Sequence, residues 1–226
     1  FKLNYQGKSL PVRLPHVIAR HHIPAVLAAA AVAVALKMNL VEIAGTLENW
    51  RPLPGRLSLL PGRHNTAILD DTYNASPAST RAALKVMQEM QAPRKVAVLG
   101  DMLELGPETD LEHARLAEDI KQADIHLLVL VGKHMRRLHE ELLRLGYARK
   151  QVLWLPDPHS TVEALLQLIR PEDLILIKGS QALRLEMVVE QLLAEPARAA
   201  DLLCRQSPSW KSKSFSPPLE WTEGEE

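Results

Sequence analysis

The sequence lacks the motifs from which a self-contained catalytic or metal centre is usually built. One cysteine, Cys204, occurs in 226 residues. That excludes an internal disulfide and a cysteine-rich metal site, and it suits a reducing compartment. Neither sign of charge is in excess, with 27 Lys+Arg against 27 Asp+Glu. No nucleic acid and no anionic membrane is therefore expected as a bulk partner. The longest apolar stretch, Ile23 to Leu36, is mostly Ala and Val and falls short of the about 20 residues a membrane span needs. It reads as a buried helix with Pro24 near its start. Gly-x-x-x-x-Gly-Lys-Ser/Thr and Gly-x-Ser-x-Gly are both missing, so a self-sufficient ATPase or hydrolase is not expected. His21, His22, His134 and His139 form the nearest histidine sets, and none has metal-ligand spacing with a matching second pair. The opening lacks the charged start and continuous apolar core of a signal peptide, which makes the cytoplasm the expected location. The chain begins at Phe1 and looks cut from something longer.

What is present is alternation. Residues 1–22 read as strand and loop leading to the helix at 23–36, and Val41 to Trp50 has helical spacing. Arg51-Pro52-Leu53-Pro54-Gly55-Arg56 breaks any element and marks a linker. Leu57–Leu60 and Thr66–Leu69 flank Pro61–Asn65 as a hairpin with a long loop. Strand and helix signals then alternate: helices at 77–91, 107–122, 133–145, 160–169 and 181–194, and strands at 95–99, 126–131, 151–155 and 173–177. Such alternation predicts an α/β fold, a Rossmann-like, mainly parallel sheet with helices on both faces. The continuously apolar strands fit burial on both sides. Past residue 198 the sequence turns rich in Ser, Pro, Lys and Glu and is expected to be a disordered tail over 199–226. Trp210 and Trp221 are its candidates for binding a partner.

Three loops follow strands and must share one edge of a parallel sheet: Asp71-Thr72-Tyr73-Asn74, Gly100-Asp101-Met102-Leu103-Glu104-Leu105-Gly106, and Lys178-Gly179-Ser180. Ligands bind at that edge in open α/β sheets. The loops offer acids for ribose hydroxyls or ammonium groups and a lysine for phosphate or carboxylate. Ser180 adds a hydroxyl near a helix start. The plainer reading is ordinary βα turn chemistry, with Ser76 a helix cap, Pro77 the first helical residue and Asp70 structural.

Taken in order, Asp70-Asp71-Thr72-Tyr73-Asn74-Ala75-Ser76-Pro77, Val98-Leu99-Gly100-Asp101-Met102-Leu103-Glu104-Leu105-Gly106 and Ile177-Lys178-Gly179-Ser180 resemble the Mur ligase family. The branch they resemble joins D-alanyl-D-alanine to UDP-N-acetylmuramoyl-tripeptide in peptidoglycan precursor synthesis. The resemblance runs from about residue 19 to 195. It implies that 1–54 is the C-terminal remnant of a central ATP-binding domain, its closing helix matched by His21-His22 and Ala28-Ala29-Ala30. It likewise implies that 55–198 is the family's C-terminal domain. It implies ATP and Mg2+ as cofactors, an acyl phosphate as intermediate, and the named dipeptide and nucleotide-linked tripeptide as partners. Arg56, Asp71, Tyr73 and Asn74 then match the ATP side. Asp101, Lys178 and Ser180 match the side that receives the amine; on physical grounds beyond that match, Lys178 is expected to hold the dipeptide carboxylate and Asp101 to help orient the amine. The sequence departs from the family at Ala25, where asparagine is usual, and at Gln181, where arginine is usual. The phosphate loop, the magnesium ligands and the uridine-nucleotide domain have no counterpart here, so the chain alone is expected to be inactive. The alternatives are a folylpolyglutamate synthase-like or cyanophycin-type ligase and a non-catalytic binding module. The coding sequence upstream of Phe1 separates enzyme from module.

Overall fold

Two prolines and a glycine between Pro52 and Gly55 leave the chain no element to continue. The computed structural model, which describes residues 1–221, divides there into units Phe1–Leu53 and Pro54–Glu226. In the first, strands β1 (Lys2–Tyr5) and β2 (Lys8–Pro11) form an antiparallel hairpin, followed by helices α1 (Ile23–Ala35) and α2 (Leu40–Glu48). Val12, Val26, Ala30, Ile43 and Leu47 are its core. The helix at 23–36 forms as expected, but its burial does not. Val32 is 61% and Leu36 73% exposed. A unit of this size has one other helix and one hairpin, too little surface to cover an apolar helix on all sides.

The second unit holds a sheet of six strands in the order β3-β4-β8-β5-β6-β7. They are β3 (Ser58–Pro61), β4 (Ala67–Asp71), β5 (Arg94–Gly100), β6 (Leu127–Val131), β7 (Val152–Leu155) and β8 (Asp173–Lys178). Only β3 runs antiparallel, paired to β4 as the expected hairpin. The short edge strand β3 ends in Pro61, and the chain near Leu193 and Ala194 bridges to its end, which protects the edge. The parallel helices are α3 (Pro77–Glu89), α4 (Thr109–Gln122), α5 (Met135–Arg144), α6 (Pro158–Leu168) and α7 (Glu186–Leu192). From β4 through β5 and β6 to β7 the chain steps in one direction across the sheet, then returns by α6 to place β8 between β4 and β5. Right-handed crossovers therefore put α3, α4 and α5 on one face and α6 on the other. The side chains agree: Ile68, Val96, Val98, Ile175 and Ile177 pack with Leu165, Val188 and Leu192 of α6 and α7.

Two expectations change. The helix expected over 181–194 is broken, with a 3-10 turn at Gln181–Leu183 and Arg184 in the left-handed region (φ 53°) before α7 begins. Arg184 is thereby turned to donate to the carbonyls of Trp210 and Lys213. The expected disorder over 199–221 is also corrected. Short helices α8 (Ala199–Leu202) and α9 (Pro208–Lys211) form there, Ala199 and Leu203 join the core, and Trp210 donates its indole N–H to Glu186 at 2.8 Å. Apolar and aromatic residues spaced through a polar segment gave it enough to bury. Residues 222–226 of the expected tail lie outside the described residues.

Candidate functional site

Strand register creates the centre of the site. In the parallel pair β4–β8, Asp71 stands opposite Lys178, and side chains on neighbouring strands at matched positions share a face. Lys178 Nζ donates to Asp71 Oδ2 at 2.6 Å and to the Asn74 carbonyl at 3.0 Å. The lysine is 2% exposed. Burial lowers its pKa, and the Asp71 carboxylate opposes that shift. Alternation sends the adjacent acid the other way. Asp70 lies toward the α7 face, where its Oδ1 accepts from the N–H and hydroxyl of Thr72 and its Oδ2 has no partner. Burial is the largest cause that raises its pKa to about 6. Two consecutive acids thus have separate environments, one paired with a cation and one without.

The rest of the first loop faces outward. Tyr73 N–H donates to the Gly55 carbonyl at 3.0 Å, and Asn74 Oδ1 accepts from the Ala75 N–H. The Tyr73 ring is covered by the guanidinium of Arg56 at 4.0 Å and that of Arg205 at 4.8 Å. Ser76 and Ser79 make the cap of α3 and Pro77 enters at its first position, as the plainer reading expects.

The second and third loops are laced together. Gly100 and Gly179 lie side by side, and a Cβ on Gly100 would stand 2.4 Å from Leu183 Cδ1 and 3.3 Å from the Gly179 Cα. This close backbone approach, capped by Leu183 and Leu185, is why glycine occupies both positions. Ser180 N–H donates to the Asp101 carbonyl, and Ser180 Oγ accepts from the Leu103 N–H at 2.9 Å. Asp101 is fully buried. Its carboxylate accepts from the backbone N–H groups of His134 and Met135 at the start of α5 and from the indole of Trp221 at 2.7 Å. Burial pushes its carboxyl above the usual range. Gly132 (φ +111°) leaves room for it, since a Cβ there would sit 2.6 Å from the carboxylate. His113 Nε2 accepts from the Met102 N–H, so Nδ1 carries the proton toward the Thr109 carbonyl at 2.6 Å. Burial lowers the pKa of this ring, consistent with a neutral imidazole that holds the loop.

Between the loops lies a cavity of about 610 Å3 lined by Asn74, Leu103, Leu105, Ser180, Gln181 and Trp210. The sequence-predicted residues divide around it. Asn74 and Ser180 line it, and Arg56 and Tyr73 form a cation–aromatic pair in the same first-loop region. Asp71 and Lys178 are joined to each other, so Lys178 is spent on the first loop and does not stand open for a carboxylate. Asp101 is closed off by Trp221. Glu104, Trp210, Trp221 and Arg205 belong to the site and were not chosen as site residues from sequence. The two tryptophans carried the signal, as aromatics in a polar segment. Among the described residues no group of three or more His, Cys, Asp or Glu could hold a metal ion, so the donors present do not fit Mg2+. No helix of the described residues is long and apolar enough to cross a membrane.

The Mur ligase, glutamate ligase domain matches residues 55–181. A curated relative, the UDP-N-acetylmuramoyl-tripeptide–D-alanyl-D-alanine ligase of Escherichia coli (strain K12), is 35% identical over 194 residues, which cover 85% of this chain and 41% of that protein. The ligase of the same name from Mycobacterium leprae (strain TN) is 28% identical over 197 residues, covering 80% and 38%. Among solved structures, MurF from Acinetobacter baumannii superposes with a TM-score of 0.75 at 30% identity, over 84% of this chain and 41% of that one. The chain spans about two fifths of the length of these relatives.

Proposed function

We propose, because this chain belongs to the Mur ligase family, that it is the C-terminal portion of an ATP-dependent ligase. That enzyme joins D-alanyl-D-alanine to UDP-N-acetylmuramoyl-tripeptide in the cytoplasm. The observation that carries the reading is the meeting of the three motif loops around one cavity of about 610 Å3. In such a ligation ATP phosphorylates the tripeptide carboxylate. The dipeptide amine attacks the acyl phosphate, a C–N bond forms, the C–O bond to phosphate breaks, and the amine loses a proton. These steps need positioning more than a protein nucleophile.

On this reading the Arg56–Tyr73 pair and Asn74 take the nucleotide, and Asp71 accepts a ribose hydroxyl through the oxygen that Lys178 leaves. Lys178 acts as a positioning residue, holding Asp71 and the Asn74 carbonyl together. Ser180 sets the path of the second loop through Leu103, and Asp101 orients the incoming amine. Mg2+ would neutralise phosphate charge in a reaction of this class, held by ligands outside this chain.

The test is a product assay. The complete gene product, supplied with ATP, Mg2+, UDP-N-acetylmuramoyl-tripeptide and D-alanyl-D-alanine, should release phosphate and yield the amide product by mass. The 226-residue chain alone should yield none. No product from the complete protein, or product from the isolated chain, overturns the reading.

A further inference from the structure

The last described residues reach all three loops of the candidate site. Arg205 donates to the carbonyls of Thr72 and Tyr73, and Trp210 lines the cavity with Ser180. Both oxygens of the Glu220 carboxylate accept from the Glu104 N–H, at 3.1 and 3.3 Å. The Trp221 indole donates to Asp101 Oδ2 at 2.7 Å, while its carbonyl accepts from Lys133. Phe215 packs edge-on against the Trp221 ring, with centroids 6.2 Å apart.

The Glu220 and Trp221 contacts are chemically paired. A buried carboxylate at Asp101 and a backbone N–H at Glu104 complement a small molecule that carries an N–H donor and a carboxylate. A zwitterionic amino acid or short peptide has both. Glu220 and Trp221 supply the same two groups from within the chain, a carboxylate for the N–H and an N–H for the carboxylate. With them in place Asp101 is fully buried, and no amine can reach it.

The attachment is also light. Within residues 215–221 Pro218 is buried and Phe215, Glu220 and Trp221 are half-buried, but Leu219 is 80% exposed. Ser214 to Pro218 form neither helix nor strand, and of residues 215–221 Trp221 alone packs around the large core cluster. Segments with few buried contacts open locally without unfolding the domain.

We infer that residues 215–221 are a strap that closes the amine end of the site as an internal stand-in for a zwitterionic dipeptide, and that it lifts before the dipeptide enters. The identity of the dipeptide rests on the proposed ligase reading; the strap's competition with a zwitterion rests on the contacts above. A strap closed nine times in ten weakens apparent affinity about tenfold, because binding draws only on the open fraction.

The experiment is calorimetric titration of D-alanyl-D-alanine into the 226-residue chain, into the same chain ending at Ser214, and into the 226-residue double variant Glu220→Ala/Trp221→Phe. Circular dichroism checks the fold of each, and the double variant carries the test if the shortened chain does not fold. The expected result is dipeptide binding about tenfold tighter when the strap is removed or disarmed. Equal affinity in all forms overturns the strap and leaves the ligase reading standing. Binding to none of them also overturns the strap, and the product assay on the complete gene product then decides the ligase reading separately.

Discussion

The Asp70–Asn74 loop and the Asp101–Gly106 loop leave the same edge of one sheet, and each carries a buried acid, yet they stabilise it by different physics. Asp71 is matched by a full charge, the Lys178 ammonium placed opposite it by strand register. Asp101 is matched by dipoles, two backbone N–H groups at the start of α5 and an indole N–H. The first solution joins β4 to β8, so it is as rigid as the sheet. The second depends in part on a residue 120 positions away, so it can be partly undone without disturbing a strand. On the proposed reading, that asymmetry lets the amine end open while the other end keeps its shape.

Breaking the ionic side should cost most. Lys178→Ala leaves the Asp71 carboxylate buried without its cation, and stability should fall by about 3–5 kcal/mol in urea unfolding. The double variant Lys178→Met/Asp71→Leu, which removes both charges, should recover most of that loss. An equal loss in both would mean that the pair is packing rather than charge compensation.

The next effect concerns Asp70, the acid in the first loop that has no cation. Its pKa of about 6 in the fold exceeds the about 3.9 of an unfolded chain. The folded state therefore holds its proton more tightly. The group's contribution to stability is fully present below about pH 4, falls as pH rises, and is lost above about pH 6. Asp70→Asn should remove that fall. Relative to the parent chain, the variant should be more stable at pH 7.5 than at pH 4 by about 3 kcal/mol. Parallel stability curves for the two proteins would show that Asp70 does not titrate in this range.

The dipolar side should be the mildest to break. Asp101→Ala strips the acceptor from two α5 N–H groups, and a loss of about 2 kcal/mol is expected. Hydrogen exchange should quicken at His134 and Met135 and in the strap, while the amides of β4 and β8 stay protected. Uniform loss of protection across the sheet would mean that the two loops are one cooperative unit after all.

Much of this was legible in the residues. The apolar runs Val96–Leu99, Leu127–Val131 and Leu174–Ile177 are strands buried on both faces, and they could be read as such without a structure. The three loops at their carboxyl ends followed from parallel geometry alone, and the cap at Ser76 from the local Ser-Pro step. The break at Arg184 was not legible, because its left-handed backbone is stabilised by carbonyls of Trp210 and Lys213 that no local pattern reveals. The exposure of Val32 and Leu36 was not legible either, since a periodic apolar pattern states what can be buried and not what is there to bury it. Polar composition after residue 198 suggested disorder, yet Leu203, Trp210 and Trp221 found partners on a surface built from distant strands.

The sequence by itself determined the elements, their alternation, the edge where the three motif loops gather and the family to which the chain belongs. These rest on periodicity and on short motifs, which act over a few residues. Tertiary structure alone decided that Lys178 serves Asp71 and that Trp221 closes Asp101. Those pairs lie 107 and 120 positions apart. Their meeting depends on β8 inserting beside β4 and on the path of the C-terminal segment, neither of which any local pattern encodes.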